Sequence, residues 1–406
     1  MEAINNCEVC GNTSLNPVLN LGKHPMCDDL VLVGDTRVCK EYPIEILYCN
    51  ICRTGHQKFQ VPKEELFPKN YHYRARFTAD VLSGMSGLVD SCEEKFGNLD
   101  KKVVLDIGCN DGSLLDFFKE KGAVTIGIEP TDASKDANSK GHKVYSDYLS
   151  VELAENILKI HGHPSIITFT NVFAHIEDLA GVLASLKVLQ DKDTKIVIEN
   201  HYLGAVLDGN QFDTFYHEHP RTYSYTSFKF MAKTLGIDLE AVEFPSRYGG
   251  NIRVFMGLNS LMNKQPELSN LDDKESLFEG QFEELKLNID KWMASKGSIL
   301  NSIFEQHGKI SAKAFPGRSA ILVKMLNIDE SMISAVYEKP GSLKINHYVP
   351  GTRIPILSDD DLLASDHLDK PILNLAWHIS KEIHGYLVKS GFSGPITDIL
   401  DNDDFS

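Results

Sequence analysis

Residues 103–115 read Val-Val-Leu-Asp-Ile-Gly-Cys-Asn-Asp-Gly-Ser-Leu-Leu, and this stretch predicts a strand, a tight loop and the start of a helix. The apolar, β-branched run 103–107 is typical of a buried strand. Gly108 and Gly112 bracket the loop, and the apolar residues of 114–118 then repeat at helical spacing. A strand that passes through a glycine loop into a helix indicates an α/β fold.

The loop formed by residues 108–112 has the features of a ligand site. Gly108 and Gly112 permit unusual backbone angles and the close approach of a bound molecule. Backbone N–H groups of the loop, Asn110 included, and of the helix N-terminus would face that molecule, while Asp106 offers a carboxylate at the strand end. The dinucleotide pattern G-x-G-x-x-G is absent, which disfavours a nicotinamide or flavin cofactor.

A second acid follows at the spacing expected for a nucleoside site. Residues 125–130 read Thr-Ile-Gly-Ile-Glu-Pro, a short apolar strand that ends in Glu129. In doubly wound α/β domains an acid at this place hydrogen-bonds a ribose diol. The pattern from Asp106 to Glu129 resembles the S-adenosylmethionine (SAM) site of class I methyltransferases. The alternative is an ordinary turn between strand and helix with a chance acid after the next strand.

The alternation of strands and helices continues, with strands predicted near 103–107, 124–128, 166–170 and 195–199. Open sheets bind ligands at the carboxyl ends of their strands. Asn171 and Val172 follow the third of these strands and are candidate cofactor contacts, Asn171 for the amino-acid part or the adenine of SAM. His175, four residues beyond the Asn, is of a kind that more often packs or caps. His201 follows the fourth strand and is a candidate substrate contact.

Composition sets the class of protein. The chain has 406 residues, enough for two or three domains, and it has no run long enough for a membrane span and no signal-peptide pattern. We therefore expect a cytoplasmic location without membrane association. The net charge of −16 argues against a broad nucleic-acid surface, so any bound phosphate must be met by a local basic or N–H-rich pocket.

Two C-x-x-C motifs near the N-terminus predict a metal site. Cys7 and Cys10 form the first, and Cys49 and Cys52 form the second, 38 residues further on. Four thiolates in a tetrahedron suit a structural Zn²⁺, because a closed site leaves no open coordination position for catalysis. Reduced free thiols are the alternative, and replacement of one ligand by another nearby cysteine, 27 or 39, is also possible.

The densest polar cluster of the chain lies at residues 212–224, Phe-Asp-Thr-Phe-Tyr-His-Glu-His-Pro-Arg-Thr-Tyr-Ser. Adjacent residues of a helix or strand point apart, so Tyr216, His217, Glu218 and His219 cannot share one regular face. A metal-binding His-x-His and a solvated loop are weaker interpretations. General acid–base chemistry fits better, with a histidine base, a carboxylate that fixes its tautomer and a tyrosine that binds an oxyanion.

Three further segments complete the prediction. Tyr71 and Tyr73 precede a helical stretch and either cover the cysteine module or form a flap over the methyl donor. Residues 272–304 predict a long linker helix that buries Leu277, Phe278, Phe282, Leu285, Leu287, Ile289 and Trp292 on one face. A second α/β passage begins at Ile310, and its loops carry basic residues for a diphosphate pocket, namely Arg318, Lys324, Lys339 and Arg353.

Taken together, these motifs resemble those of the nucleotide-sugar C-methyltransferases of deoxysugar biosynthesis. The motifs that carry the resemblance span nearly the whole chain: the two C-x-x-C pairs, Asn70–Tyr73, Asp106–Gly112, Gly127–Pro130, Asn171–Ile176, Glu199–Leu203, Phe212–Thr214, Tyr216–His219, Gly249–Val254 and Pro350–Pro355. The resemblance implies an α/β fold with a small N-terminal zinc-binding module, a central class I methyltransferase (Rossmann-like) domain and a smaller C-terminal Rossmann-like domain. It implies SAM and structural zinc as cofactors.

The resemblance also implies a mechanism. A base removes the acidified C3 hydrogen of a nucleotide-linked 4-keto sugar, and the enolate carbon accepts the methyl group. By the family's pattern His219 is the base, positioned with the ketone by Glu218 and Tyr216, and Tyr71 or Tyr73 closes over the reacting face. His201, Tyr216, Tyr71 and Tyr73 are candidate donors to the ketone oxygen, because a histidine base needs a stabilised oxyanion. Predicted substrate contacts are His201, Arg253, Arg318, Lys324 and Arg353.

We expect three sequence segments: a zinc-binding module at 1–68, the methyltransferase domain at 69–262, and the linker helix with the nucleotide-sugar-binding domain at 263–406. The partner is expected to be a sugar linked to thymidine diphosphate, with no nucleic acid and no membrane, and the protein a monomer or homodimer. Methylation at oxygen or nitrogen of a related nucleotide sugar is one alternative. A zinc-bearing SAM-binding scaffold without catalysis is another, and a nucleic-acid-binding zinc protein is a third.

Overall fold

The computed structural model describes residues 3–67, 74–77, 79–258, 268, 270–365 and 368–405. In chain order the strands are β1 Asn16–Pro25, β2 Val31–Leu32, β3 Glu41–Cys49, β4 Thr54–Gln57, β5 Val103–Ile107, β6 Val124–Ile128, β7 Lys143–Tyr145, β8 Ile166–Thr170, β9 Lys195–His201, β10 Arg221–Thr222, β11 Asp238–Glu243, β12 Asn251–Gly257, β13 Ile310–Lys313, β14 Ile333–Glu338, β15 His347–Tyr348, β16 Ile356–Ser358, β17 Ile372–Asn374 and β18 Ile396–Asp398. The helices are α1 Lys63–Leu66, α2 Ala79–Phe96, α3 Ser113–Glu120, α4 Ala133–Ser139, α5 Val151–His161, α6 Leu179–Leu189, α7 Leu203–Asp208, α8 Tyr225–Leu235, α9 Leu271–Ser276, α10 Phe278–His307, α11 Ser319–Met325, α12 Asp359–Leu363 and α13 Ser380–Lys389.

The chain folds into two compact units that are interleaved in sequence. The first contains residues 1–16, 47–206 and 218–279, and the second contains residues 17–46, 207–217 and 280–406. Both cysteine motifs therefore belong to the same unit as the strand–loop–helix of residues 103–115, while residues 17–46, which lie between the motifs, belong to the second unit. The two compact units do not coincide with the three expected segments, 1–68, 69–262 and 263–406, so that division of the chain stays a prediction.

The first unit is built on a seven-stranded sheet with the order β11-β12-β9-β8-β5-β6-β7. Neighbours from β7 to β9 run parallel, and β12 runs antiparallel to both β9 and β11. This is the doubly wound order of class I methyltransferases, so the fold predicted for the centre of the chain is confirmed. The carboxyl ends of β5, β6, β8 and β9 meet at one edge, where ligands bind in open α/β sheets.

The strand predicted at 103–107 forms as expected because its side chains are buried on both faces. One face packs against α2 and α3, with Val104, Leu88 and Phe118 among the fully buried residues of that core. Cys109 lies in a second small cluster with Leu115. Burial raises the pKa of the Cys109 thiol, which agrees with a packing residue rather than a nucleophile.

The second unit contains a five-stranded parallel sheet with the order β16-β14-β13-β17-β18. The chain leaves β13 toward β14 on one side and reaches β17 on the other, so the order reverses at β13. This arrangement confirms the predicted smaller Rossmann-like domain near the C-terminus. Its ligand-binding edge is expected at the carboxyl ends of β13 and β17.

The long helix predicted at 272–304 is two helices, α9 and α10, interrupted at Leu277. Residues 278, 282, 285, 289 and 292 are all buried, at alternating spacings of four and three. Leu277 and Leu287 are each 64% exposed, so their assignment to the buried face was wrong. Leu277 lies in the break between the helices, and Leu287 falls outside the four-three spacing.

Within the described parts of the chain, every helix is too short or too polar to span a bilayer.

Candidate functional site

The loop between β5 and α3 requires its two glycines. Gly108 has φ 71°, and a Cβ there would lie 2.6 Å from a side-chain methyl of Val172. Gly112 has φ 76°, and a Cβ there would lie 2.9 Å from the Ala137 Cβ. Both positions combine left-handed backbone with close contacts, so any other residue would be strained and would displace its neighbours. The loop can therefore keep this conformation, packed against Val172 and Ala137, only with glycine at both positions.

Glu129 ties the loop to the end of β6. Glu129 is a buried residue, with 5% of its surface exposed. One oxygen accepts the Asn110 N–H at 3.0 Å, and the other accepts both the N–H and the hydroxyl of Thr131 at 2.9 and 2.6 Å. An acid held beside the glycine loop is the arrangement that binds ribose hydroxyls in doubly wound folds.

Asp106 is a buried carboxyl at the end of β5. Burial raises its pKa to about 7, although the Thr168 hydroxyl, which donates at 2.7 Å, opposes that shift, and the charge of Glu129 adds to it. A cation bound nearby would favour the ionised form of this carboxyl. The sulfonium and ammonium groups of SAM are such cations, so the donor set at this edge fits the cofactor.

The segment that follows the predicted tyrosine pair lies on the glycine loop. The Ala75 N–H donates to Asn110 Oδ1, and the Arg76 N–H donates to Asp111 Oδ2, both at 3.1 Å. Arg74 and Arg76 also bind Asp136 at 2.9 and 3.0 Å. Tyr71 and Tyr73 themselves lie outside the described residues, so the predicted flap stays a prediction.

Asn171 and Val172 lie where β8 ends. Asn171 has φ 53°, and its side-chain oxygen accepts from Asn251 Nδ2 at 3.3 Å. The Val172 side chain lies against the position that a Gly108 Cβ would occupy. The loop after β8 and the loop after β5 are thus in contact, as the cofactor prediction requires.

Three histidine rings cluster at the same edge of the first unit. The His219 ring centroid lies 4.8 Å from that of His175 and 5.2 Å from that of His201. His175 Nδ1–H donates to the Glu218 backbone carbonyl at 2.6 Å, which leaves Nε2 as an acceptor in the neutral ring. Burial lowers the pKa of His175, so the neutral form is favoured. The structure therefore gives His175 a place in the site.

The residues of the Tyr-His-Glu-His block face different surroundings. His219 and Glu218 are buried in the first unit, at 4% and 7% exposure. Tyr216 and His217 belong to the second unit, where His217 Nε2–H donates to the Tyr42 carbonyl at 3.0 Å. Burial lowers the pKa of His217 to about 4. This irregular segment separates its two histidines, and only His219 joins the histidine cluster.

Arg253 is engaged by acids of its own unit. It lies on β12, where Nε–H donates to Glu199 at 2.7 Å and an Nη1–H donates to Glu243 at 2.9 Å. Its side chain is 6% exposed. An Nη1–H also donates to Ser91 Oγ of α2 at 2.9 Å, so Arg253 links the sheet to α2, and none of these contacts supports the predicted substrate contact.

The predicted diphosphate contacts of the second unit each have a different protein partner. Arg318 makes a two-bond ion pair with the buried Asp213, at 2.8 and 2.5 Å, and lies over the Trp377 ring. Lys324 pairs with Glu41 at 2.7 Å. Arg353 donates to the backbone carbonyls of residues 35, 36 and 37. The described contacts do not gather these side chains into one cluster.

The four predicted cysteine ligands come together. All their Sγ atoms lie within 4.8 Å of one another, with Cys7 and Cys52 3.3 Å apart and Cys10 and Cys49 3.5 Å apart. Thiolates bound to one zinc at ~2.3 Å would lie about 3.8 Å apart in a tetrahedron. The donor set and its spacing fit a closed structural zinc site. Cys27 and Cys39 are not part of this cluster.

Two functional candidates escaped the sequence reasoning. Asn200 is 1% exposed at the end of β9, and among the described residues neither atom of its amide has a hydrogen-bond partner. A buried amide without partners costs free energy unless a water or ligand satisfies it. Arg221 is fully buried two residues after His219. The neighbouring His201 and His219 were the signals that could have drawn attention to both.

The sequence is similar to three family models and to a known C-methyltransferase. Three family models match successive parts of the chain: a putative zinc-binding domain at residues 7–67, a methyltransferase domain at 72–242 and a C-methyltransferase C-terminal domain at 246–390. The C-methyltransferase NovU of Streptomyces niveus is 25% identical over 387 residues, which cover 94% of this chain and 91% of the relative.

Similar solved structures match a little under half of the chain. A magnesium protoporphyrin IX methyltransferase from Synechocystis PCC 6803 with bound SAM is 14% identical and covers 44% of this chain and 80% of that chain, with a TM-score of 0.33. The PH0226 protein from Pyrococcus horikoshii OT3 is 14% identical and covers 48% of this chain and 98% of that chain, with a TM-score of 0.37.

The sheet order and the match to a methyltransferase domain define a class I SAM-dependent methyltransferase. The C-terminal family match and the relative that is similar over almost the whole chain are both C-methyltransferases, and the N-terminal match is a zinc-binding domain. The chain is a SAM-dependent C-methyltransferase with an N-terminal zinc-binding part.

Proposed function

We propose that this C-methyltransferase acts on a nucleotide-linked 4-keto sugar, and that His219 removes the proton from C3. The observation that carries the proposal is the histidine cluster, in which the His219 ring centroid lies 4.8 Å from that of His175 and 5.2 Å from that of His201. A carbon acid needs a base close to neutral pKa and a nearby donor for the developing oxyanion. The histidine cluster supplies such a base, and tyrosines together with His201 are the proposed donors.

When bound, SAM supplies an electrophilic methyl group. Glu129 would hold the ribose hydroxyls, the loop of residues 108–112 would present N–H groups, and Asn171 and Val172 would contact the remainder of the cofactor. Asp106 would lie near the cationic end, where its charge stabilises the ligand. These roles rest on the contacts among the loops that follow β5, β6 and β8.

The base must be neutral before it accepts the proton. His175 supports this state of its neighbour, because a neutral ring that donates through Nδ1 adds no positive charge beside His219. Glu218 supplies its backbone carbonyl to His175 and places His219 next in the chain. Tyr216, Tyr71, Tyr73 and His201 are the proposed donors to the ketone oxygen, which carries negative charge once the proton leaves.

The nucleotide carrier is proposed to bind the second unit. Its parallel sheet reverses order at β13, and the loop after β13 carries Arg318 while the residues after β17 include Trp377. Rossmann-like sheets bind nucleotides at such a point. Thymidine diphosphate is the proposed carrier, and Arg318, Lys324 and Arg353 are its proposed contacts.

Methyl transfer from SAM labelled with ¹³C in the methyl group tests the proposal. The enzyme would be incubated with 4-keto-6-deoxyhexoses linked to thymidine, guanosine or cytidine diphosphate, and the product would be examined by NMR. We expect a new methyl carbon bonded to C3 and no such product from His219→Asn. A methyl bonded to oxygen or nitrogen would overturn the enolate chemistry, and no transfer to any of the sugars would overturn the substrate class.

A further inference from the structure

Arg221 is an arginine with no exposed surface that follows His219 by two residues. Its Nη1 lies 2.6 Å from Glu8 Oε2, and its Nε–H donates to the Tyr223 hydroxyl at 3.0 Å. Its Nη2 donates to the backbone carbonyls of Ile176 and Glu177. A buried guanidinium costs several kcal/mol unless it is paired, and here the planar group is paired in three directions.

Each of these partners comes from a different part of the first unit. Glu8 lies inside the first cysteine motif, between Cys7 and Cys10. Ile176 and Glu177 directly follow His175, and Tyr223 lies in the segment that leaves His219. One side chain therefore joins the cysteine cluster to the two segments that carry the neighbouring rings of His175 and His219.

The backbone around Arg221 also pairs with the segment that follows the second cysteine motif. In the antiparallel pair of β4 and β10, Arg221 lies opposite His56, and the Gln57 N–H donates to the Pro220 carbonyl at 2.8 Å. His56 Nε2 lies 3.3 Å from Cys7 Sγ, and the hydroxyls of Ser224 and Ser227 donate to the Cys52 carbonyl. Residues 220–227 are thus attached to the cysteine cluster on both sides of Arg221.

We propose that Arg221 is a positioning residue for the reaction: it fixes the loop after β8 against the segment that follows His219, using the cysteine cluster as a rigid support. The separation of the His175 and His219 rings then depends on Arg221, although Arg221 contacts neither substrate nor cofactor. The inference rests on the proposed function, because it assumes that His219 is the base.

The test compares Arg221→Lys, Arg221→Met and Lys195→Met with the wild-type zinc-bound enzyme. Lys195 pairs with Glu240 at the opposite end of β9, so its variant is a control for the loss of a largely buried ion pair away from the histidines. Each protein is measured for exchange of the C3 hydrogen of the keto sugar nucleotide in D₂O without SAM, for SAM affinity, and for zinc content.

We expect Arg221→Met to lower the exchange rate ~100-fold, the scale of a base displaced by about 1 Å, while SAM affinity and zinc content are retained. Arg221→Lys should recover part of the rate, and in the exchange reaction, followed at several concentrations of the keto sugar nucleotide, KM should change less than kcat. Lys195→Met should exchange at the wild-type rate. If Arg221→Met does not fold, Glu8→Gln removes the charge pair and should lower exchange in the same way.

Two outcomes overturn the inference. One is exchange at the wild-type rate in Arg221→Met or, where that variant does not fold, in Glu8→Gln. The other is a decrease in exchange that matches the loss of SAM affinity and zinc, which would mean general unfolding. If the wild type itself exchanges no hydrogen with any keto sugar nucleotide, the proposed function fails instead, so the two failures are distinguishable.

Discussion

Asp106, a proposed cofactor contact, is a buried carboxyl that costs stability when it is ionised. Its pKa rises from the ordinary 3.8 to about 7 because the carboxyl is buried. The folded protein therefore binds this proton more tightly than the unfolded chain does. Between these two values the stability due to this group falls as pH rises, and above about 7 the full cost of the buried charge remains.

Asp106→Asn should remove that cost. We expect its free energy of unfolding, relative to wild type and without SAM, to rise by ~1–3 kcal/mol between pH 5 and pH 8, with weaker SAM binding. Denaturant unfolding at a series of pH values measures the first quantity. Thr168→Val is the companion variant, since loss of the hydroxyl that favours the carboxylate should raise the pKa of Asp106 further and extend the fall in stability to higher pH. A stability difference that is constant with pH would contradict this account.

Residue types could be predicted at this scale, but their partners could not. The sequence indicated that Tyr216 to His219 carry acid–base groups, yet neighbouring histidines of an irregular segment receive their directions from tertiary contacts. His217 bonds a backbone carbonyl of the second unit, whereas His219 joins two histidine rings of the first. Arg318 looked available for a diphosphate because Asp213, its partner, is 105 residues away in sequence.

At the scale of elements, the cysteine cluster joins the segment of residues 7–10 to the segment of residues 49–52. Cys10→Ser replaces a thiolate with a poor zinc ligand, so we expect loss of bound zinc and of several kcal/mol in unfolding free energy. Metal analysis and denaturant unfolding measure these effects. Cys39→Ser is the matched control, because Cys39 lies outside the cluster and a serine hydroxyl can replace its bond to the Asp29 carbonyl. Full zinc content in Cys10→Ser would contradict the ligand assignment.

Helix α10 offers a second comparison, between two leucines of one element. Leu285 is 1% exposed and Leu287 is 64% exposed. Leu285→Ala should destabilise the protein by ~2–5 kcal/mol, because it removes buried methyl groups and leaves a cavity. Leu287→Ala should change stability by less than about 0.5 kcal/mol. Equal losses in the two variants, measured by denaturant unfolding, would show that the buried face has been assigned incorrectly.

Elements with strong local signals were predictable. The four central strands formed where apolar runs predicted them. A strand that is buried on both faces needs a continuous apolar run, so the ends of the run mark the ends of the strand. The break at Leu277 was not visible, since both helices have compatible apolar spacing and a single-residue interruption leaves no distinctive pattern. The pairing of β4 with β10 was also hidden, because it joins short segments more than 160 residues apart.

At the scale of the whole molecule, the two units divide the chemistry between them in the proposed function. The first unit contains the cofactor loop, the histidine cluster and the cysteine cluster, and the second contains the sheet proposed for the nucleotide carrier. The chain has a net charge of −16 and an anionic proposed substrate, so binding must come from local donors. Substrate affinity should therefore depend on particular side chains rather than on the average field of the protein.

The central claim is that His219 takes the proton from C3, and hydrogen exchange tests it most directly. The enzyme is incubated in D₂O, without SAM, with a 4-keto-6-deoxyhexose linked to thymidine diphosphate, and the C3 hydrogen is followed by NMR. We predict exchange by the wild type and a rate at least ~100-fold lower for His219→Asn, with unchanged SAM affinity. Exchange by His219→Asn at the wild-type rate would contradict the assignment of His219 as the base.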